Sequence, residues 1–137
     1  LWLAGLALSL ADRPLPSASQ LRYMDLEVTM FLHFGICTFR DCDTPRGCNG
    51  DSRVAFPASA FNPRLLDTDQ WVRTAVSLGA RQLCLTAHHA EGFVLWPSRY
   101  STYGVAASPF GRTGRDIAGE FVASCRRHGV SPCFYIA

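Results

Sequence analysis

An α/β fold built on parallel strands is what this sequence predicts, and three observations carry the prediction. Apolar segments of strand character alternate with segments of helical period. The returns from helix to strand are short, Gly79 to Arg81 and Gly129 to Ser131, while the strand-to-helix connections are long. The long connections carry histidine, aromatic and acidic residues, so polar chemistry gathers at the carboxyl ends of the strands. Barrel and doubly wound enzymes keep their sites on that face. No Gly-x-Gly-x-x-Gly follows the first strand, which disfavours a dinucleotide fold. A (β/α)8 TIM barrel takes about 250 residues. The 137 residues here supply three strands and two helices, so the expectation is a fragment of such a barrel.

The elements follow in order. Val28–Gly35 is β-branched and aromatic and ends at glycine, a first strand. Cys37–Pro63 is rich in Pro, Gly, Asp and Asn and reads as a long loop, a length that is usually functional or disordered. Asp67 caps a first helix, with Gln70 in capping-box position, an apolar stripe of Trp71, Ala75, Val76 and Leu78, and Gly79 as its stop. Gln82–Thr86 is the second strand, and Ala87–Thr113 the second long loop. A second helix runs from about Arg115 to His128, with Ile117, Phe121, Val122 and Cys125 inward. Arg126, Arg127 and His128 complement its dipole. Pro132–Ala137 is the third strand.

Composition bounds the function. An apolar content of 48% suffices for a core, and a net charge of +2 without a basic run gives no sign of nucleic acid or an anionic membrane surface. Leu1–Ala11 carries no charge and is mostly Leu and Ala. It is shorter than the roughly 20 residues of a membrane span. It fits the apolar part of a truncated signal peptide, with Pro14 and Pro16 stopping it. None of the six cysteines forms a Cys-x-x-Cys pair, so structural zinc is not expected. Cys42 and Cys48 flank a short loop and are a candidate disulfide in an oxidising compartment. Cys84, Cys125 and Cys133 fall on apolar faces and read as buried thiols.

Leu83–Ser98 is the segment richest in chemistry. A strand delivers His88 and His89 in tandem, followed by Glu91, Gly92, Phe93, Val94, Leu95 and Trp96. Polar groups inside an aromatic rim at a strand end describe a binding site. A metal hydrolase reading would use His33, His88 and His89 as ligands. Such barrels usually carry His-x-His on the first strand, where Phe31 stands here.

In colinear order, Phe31-Leu32-His33-Phe34-Gly35, Phe61-Asn62-Pro63, Asp69-Gln70-Trp71, the segment ending Trp96-Pro97-Ser98, and Ser108-Pro109-Phe110 resemble glycoside hydrolase family 29, the α-L-fucosidases. The resemblance runs from about Leu21 to Ala137 and is closer to the plant-type branch, with Phe34 in place of the usual Trp. It implies that residues 21–137 are the N-terminal part of a (β/α)8 catalytic domain that removes terminal α-L-fucose with retention. No cofactor is implied. The implied partner is a fucosylated oligosaccharide or glycoconjugate, and the implied location is the secretory pathway, extracellular or in a lysosome or vacuole. His33 and His89 match histidines that bind fucose hydroxyls, and Phe31 matches an aromatic against the sugar methyl. His88 replaces a lysine of the pattern and Ala90 a second histidine, and the Glu-Trp pair often seen in the first loop is absent. Asp41, Asp43 and Asn49 are the polar candidates there. His88 and Trp96 complete the candidate substrate-binding set. The family's catalytic carboxylates match no position of this chain, and Glu91 reads as a loop-fixing residue held by backbone hydrogen bonds. The rival class is a non-catalytic sugar-binding relative.

Overall fold

The computed structural model describes residues 14–41 and 56–137. Leu1–Ala11, the Cys42 and Cys48 pair, Asp43 and Asn49 lie outside the described residues. Among the described residues, no helix is long and apolar enough to cross a membrane.

Helix α1 (Ala18–Met24) was not anticipated, although Ser17 and Gln20 form a reciprocal capping box that the sequence displays. Strand β1 (Thr29–Leu32), helix α2 (Thr68–Ser77), strand β2 (Gln82–His88), helix α3 (Ile117–Arg127) and strand β3 (Ser131–Ile136) follow. The strands form one parallel sheet in the order β1-β2-β3, as the alternation predicts. Single 3-10 turns at Ile36–Arg40, Ala58–Ala60, Val105–Ala107 and Phe110–Thr113 structure the long connections.

Asp67 caps α2 by accepting from the amides of Asp69 and Gln70 at 2.9 and 3.0 Å. The Gln70 side chain turns instead to Thr74 Oγ1, so the expected box is half made. The buried stripe of α2 is Thr68, Val72 and Ala75; Val76 and Leu78 face outward, contrary to the sequence reading. The phase was misread because Thr68 joins the buried face through a hydroxyl contact, 2.8 Å to Ser124 Oγ of α3. In α3, Ile117, Phe121 and Cys125 are fully buried as expected. Gly79 and Gly129 take positive φ (87° and 67°) just past the two helices, the turn that makes the short returns possible.

Five of the motif segments meet in one aromatic cluster. Phe61 is fully buried, with its ring centroid 5.7 Å from Phe34, 5.3 Å from Phe39, 4.9 Å from Phe93 and 6.0 Å from Phe110. Trp71 joins through Phe34 at 5.1 Å. These spaced motifs are therefore the packing of the two long connections against the helix side of the sheet.

Asp69 is the polar tie between α2 and α3. It accepts from Arg73 at 2.6 Å and Arg127 at 2.7 Å, and lies 3.0 Å from His128 Nε2. The basic end of α3 thus serves a tertiary contact as well as the dipole. Hydrogen bonds to His128 and then Arg127 hold the Asp69 carboxyl at about 2, below its ordinary 3.8. A depressed carboxylate contributes stability that is present above the ordinary value and lost as the pH falls through the folded one. Acid unfolding of the wild type should therefore steepen between pH 3.8 and about 2, and Asp69→Asn should flatten that window. Circular dichroism across that pH range checks it; superimposable profiles would exclude the tie.

Candidate active site

The two faces of the sheet differ in chemistry. Leu83 and Leu85 of β2 point into the helix-side core, with Met30 and Leu32 of β1 packed against it. The opposite face follows from strand alternation and register. Thr29, Gln82 and Ser131 form one row, Phe31, Cys84 and Cys133 the next, and Thr86 pairs with Tyr135 above them. Thr29 Oγ1 donates to Gln82 Oε1 at 2.9 Å within the first row. In the second row, the thiols of Cys84 and Cys133 lie 2.8 Å apart, a pairing not anticipated, and Cys133 is only half-buried. Burial, then the adjacent thiol, pushes Cys84 up to about 12. Burial alone takes Cys125 to about 11, so both are poor nucleophiles at neutral pH.

The carboxyl end of this face carries the imidazoles. Regular alternation would put His88 beside Thr86 and send His89 to the other face. The β2–β3 register shifts between Thr86 and His88, the mark of a β-bulge. That extra residue reverses the alternation, and the His89 ring lies 4.6 Å from His33 in edge contact and 6.1 Å from Tyr135. Tyr135 in turn stands 5.6 Å from Phe31. His33, His89, Phe31 and Tyr135 therefore form one cluster at the strand ends. Thr86, nearly fully buried, holds the end of β1 in place by accepting from the Phe34 amide at 3.1 Å.

Glu91 is drawn in as well, and not as the sequence suggested. Its side chain is 3% exposed, with Oε2 lying 3.3 Å from His89 Nδ1 rather than on backbone amides. The other oxygen approaches Gly35 so closely that a Cβ there would sit 3.1 Å from it. The same carboxylate, after burial, contributes to the rise of the Tyr103 phenol to about 12. His88 is half-buried, with Nδ1 unpartnered among the described residues. Trp96 is not brought to the cluster. It lines a cavity of about 550 Å³ with Gly119 and Val122 of α3 and with Phe134 and Ile136, on the helix side of the sheet. The loop from β2 turns its indole away, so adjacency in sequence misplaced it. Sequence reasoning left open whether Phe134 or Tyr135 shares the inner face with Phe31 and did not assign Thr86 to the site; alternation along β2 and β3 could have found both. Among the described residues, no group of three or more His, Cys, Asp or Glu is placed to hold a metal ion.

Two imidazoles able to donate and accept, beside two aromatic rings, suit a ligand that carries both hydroxyls and apolar carbon. Fold and cluster together define an α/β protein with a polar-aromatic cluster at the carboxyl ends of parallel strands. The family model described as alpha-L-fucosidase matches residues 9–137, and the chain belongs to that family. It is 41% identical over 124 residues to a protein of Oryza sativa subsp. japonica provisionally named alpha-L-fucosidase 1, covering 90% of this chain and 23% of that one. It is 37% identical to alpha-L-fucosidase 1 of Arabidopsis thaliana over the same shares of the two chains. Among solved structures, a glycoside hydrolase 29 family member from an unknown rumen bacterium superposes with a TM-score of 0.79 at 35% identity, over 90% of this chain and 21% of that one. The chain thus spans about a quarter of the length of the curated relatives it matches, 23% of both plant proteins.

Proposed function

We propose that these residues form the sugar-binding part of an α-L-fucosidase that hydrolyses terminal α-L-fucose from glycans or glycoconjugates with retention of configuration. The single observation that carries this is the convergence of His33, His89, Phe31 and Tyr135 at the strand ends, in a chain of this family. In this reading His33 and His89 bind sugar hydroxyls and Phe31 meets the fucose methyl. The sheet is part of a (β/α)8 barrel to which residues 21–137 contribute the first strands. Its outer strands support that reading: among the described residues β1 and β3 each have one neighbour, and Phe134 (41%) and Ile136 (66%) of β3 are exposed. Location in the secretory pathway, extracellular or in a lysosome or vacuole, is part of the same proposal. It rests on the apolar stretch Leu1–Ala11.

The test is a graft. Residues 14–137 replace the matching segment of the Arabidopsis enzyme, and the product is assayed on an aryl α-L-fucoside. Turnover on the fucoside and none on the matching galactoside is expected; a folded graft without fucoside turnover would overturn the reading. Ala90, exposed in the turn after β2, stands where the family pattern has a histidine. Ala90→His in the graft should tighten inhibition by a fucose-shaped iminosugar by at most about 1–1.5 kcal/mol, one net hydrogen bond. Unchanged inhibition would show that another group already serves that hydroxyl.

A further inference from the structure

We propose that Glu91 is a positioning residue that fixes the tautomer of His89. It accepts a hydrogen bond from Nδ1–H and leaves Nε2 bare as an acceptor toward the ligand. Two buried atoms carry the inference. His89 Nδ1 and Glu91 Oε2 each lack a hydrogen-bond partner among the described residues, and they lie 3.3 Å apart without the alignment of a hydrogen bond. A buried carboxylate oxygen accepts only, so the tautomer with the proton on Nδ1 is the one that satisfies both atoms once a small turn of the ring brings that N–H onto Oε2. The reverse tautomer would set two lone pairs against each other away from water.

Gly35 borders the carboxylate on its other side. Gly35 is buried in extended backbone, φ −177°, a conformation any residue can adopt. A Cβ there would stand 3.1 Å from Glu91 Oε1, a tight contact from which the carboxylate would have to give by a few tenths of an ångström. Gly35 and His33 share the end of β1, and Glu91 and His89 share the turn of β2. One backbone position beside one imidazole thus orients the other. The His89 side chain keeps 20% exposure, and Nε2 is not among the buried unpartnered atoms. Its bare lone pair selects a ligand group that donates, such as a sugar hydroxyl. That last clause rests on the fucoside reading; the tautomer does not.

Long-range 1H–15N spectra of the labelled chain, taken where the imidazoles are neutral, read the tautomer directly, with His89→Gln assigning the signal. The Nδ1-protonated form should exceed the other by about tenfold or more. Glu91→Ala should abolish that preference, and Glu91→Gln, which keeps an acceptor oxygen and the volume, should retain part of it. Gly35→Ala should weaken it while leaving both partners in place. A wild-type His89 protonated on Nε2, or a ratio unmoved in Glu91→Ala and Gly35→Ala alike, would overturn the assignment. Titration with a fucose-shaped iminosugar separates the two readings. Loss of iminosugar-induced shifts at His89 in Glu91→Ala supports the acceptor role. The expected tautomer in a chain that gives no shifts at all would remove the ligand clause and leave the positioning intact.

Discussion

Phe61→Ala should lower the stability of the chain by about 3–5 kcal/mol, the cost of truncating a fully buried phenylalanine. The Phe61 ring has no exposure and touches Phe34, Phe39, Phe93 and Phe110, so it joins the loop after β1, the turn after β2 and the segment before α3. Its removal leaves a void bounded by rings from segments that have no regular ladder between them. Those segments can close the void only by moving relative to one another. A loss of that size rivals the whole stability of many small domains. Urea titration followed by circular dichroism checks it, with Phe61→Leu, which keeps most of the volume, expected to cost far less. A fall in midpoint equivalent to under about 1 kcal/mol for Phe61→Ala would show that the cluster is not the structural centre of the motifs.

The second large effect concerns catalysis. Retaining glycosidases set two carboxyl groups about 5–5.5 Å apart. Among the described residues, the carboxylate beside the imidazole cluster is Glu91, 3% exposed and lying between His89 and Gly35. The 137-residue chain by itself should therefore show no turnover of an aryl α-L-fucoside above the buffer rate. In the graft that supplies the remaining barrel, His89→Ala should reduce kcat/KM by a lost sugar hydrogen bond, about 1–3 kcal/mol or roughly 5- to 150-fold. His33→Ala should behave similarly and His88→Ala more mildly. Turnover by the chain alone would place the reacting carboxylates within it. Wild-type kinetics for His89→Ala in the graft would remove His89 from the sugar site.

Much of the architecture was legible because each signal was local. Asp67 before an apolar period, Gly79 and Gly129 after one, and β-branched runs between them act on neighbours a few residues away, and each element appears where those residues put it. The colinear motifs likewise identified the family, but what they do was hidden. Phe61, Phe93 and Phe110 lie far apart in sequence and meet only when the long connections fold onto the helix side. Asp69-Gln70-Trp71 was one of the motifs that carried the family resemblance. Asp69 proves to be an ion-paired tie between helices, and Trp71 a neighbour of Phe34.

By itself, then, the sequence determined the parallel α/β class, the family and the presence of histidines at strand ends, because periodicity, turn residues and motif order are written in one dimension. The family resemblance already pointed to His89, and how the chain turns it toward the site was decided by the tertiary structure. Strict alternation from Thr86 selects His88, and a one-residue shift in the β2–β3 pairing selects His89 instead. That shift belongs to the register between two strands more than forty positions apart, a property of neither strand alone. The same holds for Trp96, which the chain places beside the histidines and the fold carries to the other side of the sheet. It holds also for Glu91, whose partners are an imidazole on its own turn and a missing Cβ on the neighbouring strand end. Side-chain direction at a strand end depends on pairing and burial across the sheet, and those are fixed only when the strands meet.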